Sequence, residues 1–270
     1  MKRDVGVLKP RKLSFRQNFH RNYKHFLIFG GMAIIGFFLF YFYPIIRTFI
    51  LSLTDKSLYE GTSEFVGLEN YRGLMSDYRF IYSFIRTISY SLLNILFINV
   101  VAFGLALLVT QKLKLQNLYR AGFFMPNLIG GLVLGYIWQF LYNRVLVSIG
   151  ASRVITGLSN IIGRDLFAES PLIESQSALI ALVIVVTWQY AGYIMMIYIA
   201  AIQNIPQDLV EASKIDGANT WQRLKTITLP LVAQAFTVAM FLTLVTSFKQ
   251  FDTVMSLTQG GPATRLPEYL

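Results

Sequence analysis

Cysteine is absent from this chain of 270 residues. No disulfide, thiolate nucleophile or thiolate metal ligand is therefore available to it. Histidine is almost absent. His20 and His25 are the only two, and both lie in a basic N-terminal stretch where a solvated surface role outweighs metal binding. No G-x-x-x-x-G-K-[S/T] run occurs anywhere, so the chain cannot cradle ATP phosphates in a P-loop. Hydroxyl side chains are scattered with no base beside them, which leaves no nucleophile–base pair. Charge is scarce at 14%. What remains is apolar: 54% of residues are hydrophobic and mean hydropathy is +0.52, too apolar for a soluble domain of this size. The net charge of +10 would suggest nucleic acid on a soluble protein. Here the basic residues flank apolar runs, and orientation in a membrane accounts for them better.

Five stretches reach the roughly 20 apolar residues that a bilayer crossing needs: 26–51, 80–110, 121–143, 176–203 and 230–257. The first, F-L-I-F-G-G-M-A-I-I-G-F-F-L-F-Y-F-Y-P-I-I, has too long a core for a signal peptide and no small-residue cleavage site. Lys and Arg counts set the orientation. The stretch 1–25 carries eight against one acid, the loop 111–120 carries three, and the loop after the fourth span carries three. The opposite loops, 54–79 and 144–172, carry three each. The basic side is expected to be cytoplasmic. The fold class is thus an all-α polytopic transmembrane bundle with its N-terminus in the cytoplasm.

One polar island interrupts the apolar pattern. Glu211 to Pro230 reads E-A-S-K-I-D-G-A-N-T-W-Q-R-L-K-T-I-T-L-P. It reads as two short helices broken at Gly217, because glycine enters left-handed backbone without steric cost. Pro230 is expected to start a new helix, where its missing N–H costs nothing. Glu211 and Lys214 are spaced to pair on one helix face. The island resembles the E-A-A loop of permease subunits from ATP-binding-cassette importers: E-A-A, three residues, G, nine residues, I-x-L-P. Glu211, Ala212, Gly217, Ile227, Leu229 and Pro230 fall in place; Ser213 replaces an alanine, and Leu224 stands where phenylalanine is frequent.

Further segments are similar to one branch of that family. They are F-Y-P-I-I-R-T-F-I-L-S-L-T-D at 42–55, F-V-G-L-E-N-Y at 65–71, F-F-M-P at 123–126 and T-W-Q-Y-A-G-Y-I-M-M-I-Y from 187. The branch is the sugar-uptake permeases of the type that includes the larger maltose-transporter permease and the glycerol-phosphate permease. The resemblance implies a subunit of an ATP-driven importer in a bacterial or archaeal plasma membrane. It implies a homologous second permease, two cytosolic ATPase subunits that hold the ATP and Mg, and an external solute-binding protein. Residues 1–25 are then a cytoplasmic tail, and 26–270 a permease domain with its coupling loop at 204–230. Glu211, Ala212, Ser213, Asp216, Gly217 and Ala218 are expected to meet the ATPase. The family continues into a sixth span; five spans leave Leu270 outside, so the sequence reads as ending before that span.

A sugar path needs aromatic faces and hydrogen-bonding groups deep in the spans, where unsatisfied polar groups are costly. Alignment with the maltose permease places Asn127, Gly131, Gln189, Tyr190 and Tyr193 at sugar-facing positions, with helix packing as the competing role. Arg47 and Arg86 lie near span ends and are expected to snorkel. Lys249 and Asp252 are spaced to pair. Asn94 and Asn99 bridge helices or line the path. Gly30-Gly31 and Gly130-Gly131 invite close helix approach. Alternatives are an importer of glycerol phosphate or another polar solute, an ion-gradient transporter, and a membrane enzyme. The transporter lacks embedded ionisable relays and the enzyme lacks a catalytic cluster.

Overall fold

The structure, a computed structural model, describes residues 30–55, 64–111, 114–150 and 170–260. The N-terminal stretch 1–25, residues 151–169 of the loop 144–172 and the segment ending at Leu270 lie outside the described residues. The chain divides into two compact units, residues 1–81 and 82–270.

In the first unit, α1 (Gly30–Ser52) is a 23-residue apolar helix. It contains a π turn at Phe38–Phe42, and Pro44 follows after Tyr43. Proline lacks an N–H, and its ring collides with the carbonyl four residues earlier. A wider π turn removes that collision and lets the helix continue. After α1 come β1 (Thr54–Asp55) and β2 (Glu64–Phe65), an antiparallel two-stranded ribbon with Thr54 opposite Phe65. The helix α2 (Glu69–Ser76) is tied back to the end of α1. Asn70 Nδ2 donates to the Ser52 and Thr54 carbonyls at 2.9 and 3.1 Å, and the Tyr71 and Ser52 hydroxyls meet at 2.7 Å.

The second unit holds most of α3 (Tyr78–Val109), then α4 (Gln116–Phe124), a 3₁₀ turn at Met125–Leu128, α5 (Gly131–Ile149) and α6 (Ser175–Gln203). The helices α7 (Gln207–Ile215), α8 (Thr220–Phe248) and α9 (Phe251–Thr258) complete it. Among the described residues, five helices are long and apolar enough to cross a membrane, as the sequence indicates.

Three boundaries differ from the sequence reading. The third span begins at Gly131, not near 121, because Pro126 and the extended residues Ile129 and Gly130 break the run into α4, a 3₁₀ turn and α5. Pro230 does not start a helix. It lies inside α8, which runs on from Thr220 through a second π turn at Leu224–Thr228, the same device that precedes Pro44. The fifth apolar run is not continuous to 257: Lys249 and Gln250 leave the helical region, and α9 starts anew with Asp252 in its first turn.

The core centres on α6, the most buried span. Ile98, Ala102 and Ala106 of α3, Leu134 of α5 and Ala239 of α8 are sealed around Val185, Met195 and Tyr198. The rings of Phe103, Tyr198 and Phe236 interlock, with centroids 4.7–5.4 Å apart. Below them a buried polar network joins three helices. Tyr198 Oη donates to Asn99 Oδ1 at 2.6 Å, and Asn99 Nδ2 donates to Thr243 Oγ1 at 3.1 Å and to the Ile95 carbonyl at 2.7 Å. Every polar atom of the Asn99 side chain is used, which is what makes burial in an apolar interior tolerable.

Glycines set the closest approaches. Among the described residues, α9 lies in a notch of α5. A Cβ at Gly131 would stand 2.9 Å from Thr253 Oγ1. A Cβ at Gly135 would overlap Ser256 Oγ and come within 3.1 Å of the Leu257 nitrogen. Gly130, by contrast, has nothing within 4 Å of its Cβ position, and neither does Gly31.

Candidate functional site

The polar island folds as two short helical pieces at a sharp corner. Helix α7 ends in a paired backbone motif: Gly217 N–H donates to the Lys214 carbonyl at 3.1 Å and Ala218 N–H to the Ser213 carbonyl at 2.9 Å. This is the Schellman arrangement, and it needs a left-handed residue after the cap. Gly217 supplies it with φ +76°, as its place in the sequence indicates. Asn219 then caps α8. Its Oδ1 accepts from Gln222 N–H and Gln222 Oε1 accepts from Asn219 N–H, both at 2.8 Å. That reciprocal box fixes the direction of α8.

Glu211, Ala212, Asp216 and Gly217 are exposed, Ala218 is half-buried, and Ser213 is buried with its hydroxyl on the Val210 carbonyl at 2.8 Å. Glu211 is met by Gln207 Nε2 at 3.3 Å. The expected partner Lys214 is not engaged with it among the described residues, because Lys214 lies in the last turn, where a cation faces the free carbonyls of the helix end. Two large apolar side chains stand out beside the corner: Ile215 is 87% exposed and Trp221 69%. The sequence reading missed both. Their signal was an apolar residue on either side of a glycine within a polar island. Between the corner and the end of α3 lies a groove of about 330 Å³ that includes Gln111, Ser213, Thr220 and Arg223.

The second set lies at the break between α4 and α5. The extended residues Ile129 and Gly130 take the Ile129 carbonyl out of the helical ladder. Gln189 of α6, buried at 4% exposure, donates its Nε2 to that carbonyl at 3.1 Å. Asn127 sits in the 3₁₀ turn beside it and is half-buried. Tyr190 and Tyr193 follow on α6 and are half-buried against the core. The structure thus brings Gln189 to the irregular segment of backbone that follows Asn127, with Tyr190 next to it along α6. Backbone of that kind is tolerated only where protein or a polar cavity satisfies it. Gly131 opens α5 at the same place, but its Cα faces Thr253 and Asp252 of α9, and its carbonyl accepts from Ser256 Oγ at 3.3 Å.

Other expectations resolve as follows. Lys249 and Asp252 do not pair among the described residues, because the helix stops between them and places them on separate elements. Arg86 turns to Tyr82, with its Nε on the hydroxyl at 3.1 Å and its guanidinium 5.1 Å from the ring centroid. Asn99 bridges helices. Asn94 is fully buried and has no partner.

Comparison with known proteins agrees with this architecture. A probable starch degradation products transport system permease protein, AmyD of Thermoanaerobacterium thermosulfurigenes, is 39% identical over 92% of this chain and 81% of its own. The trehalose/maltose transport system permease protein MalF of Thermococcus litoralis is 31% identical over 81% of this chain and 72% of its own. A crystal structure of a bacterial alginate ABC transporter in complex with an alginate pentasaccharide-bound periplasmic protein contains a chain of the same fold. It aligns at TM-score 0.72 and 20% identity over 92% of this chain and 81% of that one. Residues 70–268 match the family described as binding-protein-dependent transport system inner membrane component. The chain belongs to that family: it is a membrane-embedded permease subunit, a transport component and not an enzyme.

Proposed function

We propose that this subunit passes a sugar or oligosaccharide through the membrane, delivered by an external solute-binding protein and driven by cytosolic ATPase subunits. The observation that carries the reading is the corner at Gly217. A Schellman end followed by a capping box holds α7 at a fixed angle to the 29-residue helix α8. A force applied to α7 therefore acts on a membrane-spanning element. Glu211 and Asp216 form the exposed polar face of the docking surface beside the small Ala212, while Ile215 and Trp221 are the apolar groups it buries. Ser213 and Ala218 pack the inner side of the corner, and Gly217 sets its angle. ATP and Mg belong to the ATPase, since this chain has no P-loop.

The rest of the assembly follows from the same reading. The loop 204–230 and the tail 1–25 face the cytoplasm, and the permease domain extends from residue 26. A homologous second permease completes the path. Asn127, Gln189, Tyr190 and Tyr193 offer amide, hydroxyl and aromatic surfaces suited to a polyhydroxylated solute, and Gly131 lets α9 pack closely on the start of α5 beside them. The names of the relatives from Thermoanaerobacterium and Thermococcus favour an α-glucan fragment or a related oligosaccharide.

The reading is tested in reconstituted complexes with the cognate ATPase and binding protein. Glu211→Lys combined with Gly217→Val is expected to abolish solute-stimulated ATP hydrolysis and weaken ATPase attachment, while the binding protein still docks. Full stimulated ATPase activity in the assembled double variant would overturn the coupling role.

A further inference from the structure

The buried stripe of α3 changes character along its length. Toward the end nearer the α6–α7 loop it is Ile98, Ala102, Ala106 and Val109, all sealed. Farther from that loop it is Tyr90, Ser91 and Asn94, with exposures of 6%, 2% and 0%. Ser91 Oγ, Tyr90 Oη and both polar atoms of the Asn94 side chain have no hydrogen-bond partner. Tyr90 and Asn94 stand one turn apart, close enough for their side chains to interact as a hydrogen-bonding pair, but no bond of good geometry closes between them.

Helices α3 and α6 run in the same direction. Asn99 meets Tyr198 at one level, and nine residues earlier on α3 Tyr90 lies within reach of Tyr190. The seam between the two helices therefore has two tiers. The tier near the loop is closed by the Asn99–Tyr198–Thr243 network and the Phe103–Tyr198–Phe236 rings. The other tier holds the unpaired groups of α3 facing the level of Tyr190. At the same level of α6, Thr187 Oγ1 and Gln189 Oε1 are also unpaired.

Unpaired buried polar atoms are costly anywhere and more so in a bilayer. An apolar side chain of similar size at Asn94 or Ser91 would pack the stripe without that cost. We propose that Tyr90, Ser91 and Asn94 form a further solute subsite on α3, a polar wall opposite Tyr190 that takes sugar hydroxyls when the tier of the seam far from the loop parts. The inference rests on the sugar-transport reading. The closed tier near the loop acts as the fixed end, so parting is confined to the tier that carries the free donors and acceptors. Tyr90 and Ser91 each give and accept a hydrogen bond, and the Asn94 amide offers both an acceptor and two donors, a set suited to hydroxyl groups that do both.

The absence of cysteine from the chain makes a direct test available. Ser91→Cys is nearly isosteric. It is introduced into the reconstituted complex beside Tyr193→Cys, which reports the path already proposed, and Ala102→Cys, in the closed tier. The partner subunits are made cysteine-free. Each complex is exposed to 2-aminoethyl methanethiosulfonate during turnover, with and without maltotriose or trehalose, whichever the wild-type complex takes up. The expected result is modification at residue 91 that the sugar slows several-fold, and none at residue 102. Modification of the Tyr193→Cys complex alone overturns the subsite and leaves the path standing. Modification at residue 91 that the sugar does not slow, while slowing it at residue 193, shows hydration without solute contact and overturns the subsite too. Uptake of neither sugar removes the path reading and this one with it. As a second measurement, Asn94→Leu is expected to keep or improve folded yield while raising the half-saturating sugar concentration about tenfold, the loss of one ordinary hydrogen bond. Unchanged uptake by that variant overturns the subsite.

Discussion

Gly192 of α6 lies directly on the backbone of Phe123 at the end of α4: a Cβ on Gly192 would overlap the Phe123 carbonyl and meet the Phe124 nitrogen at 2.9 Å. The obstacle is main chain, which cannot swing aside as a side chain can. The smallest possible addition at Gly192 must therefore move α4 away from α6, and the 3₁₀ turn carrying Asn127 with it.

Gly192→Ala is expected to cost about 1–3 kcal/mol or more, in the range of overpacked interiors. Thermal unfolding in detergent checks this. The variant should lose folded yield and thermal stability while Gly31→Ala, where nothing lies within 4 Å, leaves both unchanged. Equal stability of the two variants would sink the assignment of a close α4–α6 contact.

The notch between α5 and α9 predicts a graded response. Gly135→Ala meets Ser256 Cβ at 2.8 Å and the Leu257 nitrogen at 3.1 Å, whereas Gly131→Ala meets Thr253 Oγ1 at 2.9 Å and Asp252 Cβ at 3.1 Å. Both obstacles at Gly131 are side-chain atoms, so its alanine variant should be the milder of the two. Adding Ser256→Ala removes only the hydroxyl overlap, so it should rescue Gly135→Ala in part. Melting temperatures of the four proteins give the order, and full rescue by Ser256→Ala would contradict the backbone contact.

The network at Asn99 predicts an asymmetric pair of changes. Tyr198→Phe keeps the ring packed against Phe103 and Phe236 but leaves Asn99 Oδ1 buried and unpaired. That should cost about 1–3 kcal/mol. Asn99→Leu removes the amide along with the need for a partner, and should soften the loss when combined with Tyr198→Phe. A double-mutant cycle on thermal stability measures the coupling; independent, additive effects would argue against the network.

At the corner, the demand is conformational and not spatial. Gly217 has φ +76° and open space around its Cβ position, so any cost of substitution comes from the backbone alone. Gly217→Asn, which tolerates left-handed φ, should retain most solute-stimulated ATP hydrolysis. Gly217→Val should lose it, with local strain of about 1–3 kcal/mol. Ile215→Asp is expected to weaken ATPase attachment without lowering the stability of the isolated permease, because that side chain is 87% exposed. Co-purification with the ATPase reads this directly.

The elements that the sequence showed most plainly are those set by local chemistry. The positive φ at Gly217 is a property of one residue and its neighbours, and the five spans are properties of apolar length. The box at Asn219 was equally local, since Asn-x-x-Gln before a helix is its signature, and it went unread beside the stronger glycine signal. The π turns could not be read, because a proline inside a helix and a proline opening one look alike until the preceding turn is seen to widen. The candidate path was legible in part. Alignment with the maltose permease selected Gln189 and Asn127, but the bond from Gln189 to the Ile129 carbonyl, two residues past Asn127, is one that no side-chain pattern reveals. The fit of Ser256 against Gly135 links residues far apart in the chain. The pair Gly130-Gly131 marked a site of close approach without naming what approaches, and Gly135 went unread. The stop at Lys249–Gln250 was hidden by apolar residues on both sides, and only Asp252, an acid suited to a helix start, betrayed it.

The unbroken course of α8 has a consequence in leverage. At about 1.5 Å per residue, 29 residues make a rod about 43 Å long. Its capping box and Trp221 lie at one end and Thr243, bonded to Asn99, near the other. If Thr243 serves as the fulcrum, a swing of about 10° displaces the Trp221 end by roughly 6 Å over the intervening 22 residues, at that rise. A shift of that size at the loop, comparable to one helical turn, needs only a small rotation at the buried end. With Thr243 as fulcrum, the polar anchor would convert a large stroke at the Trp221 end into a fine adjustment at the buried end.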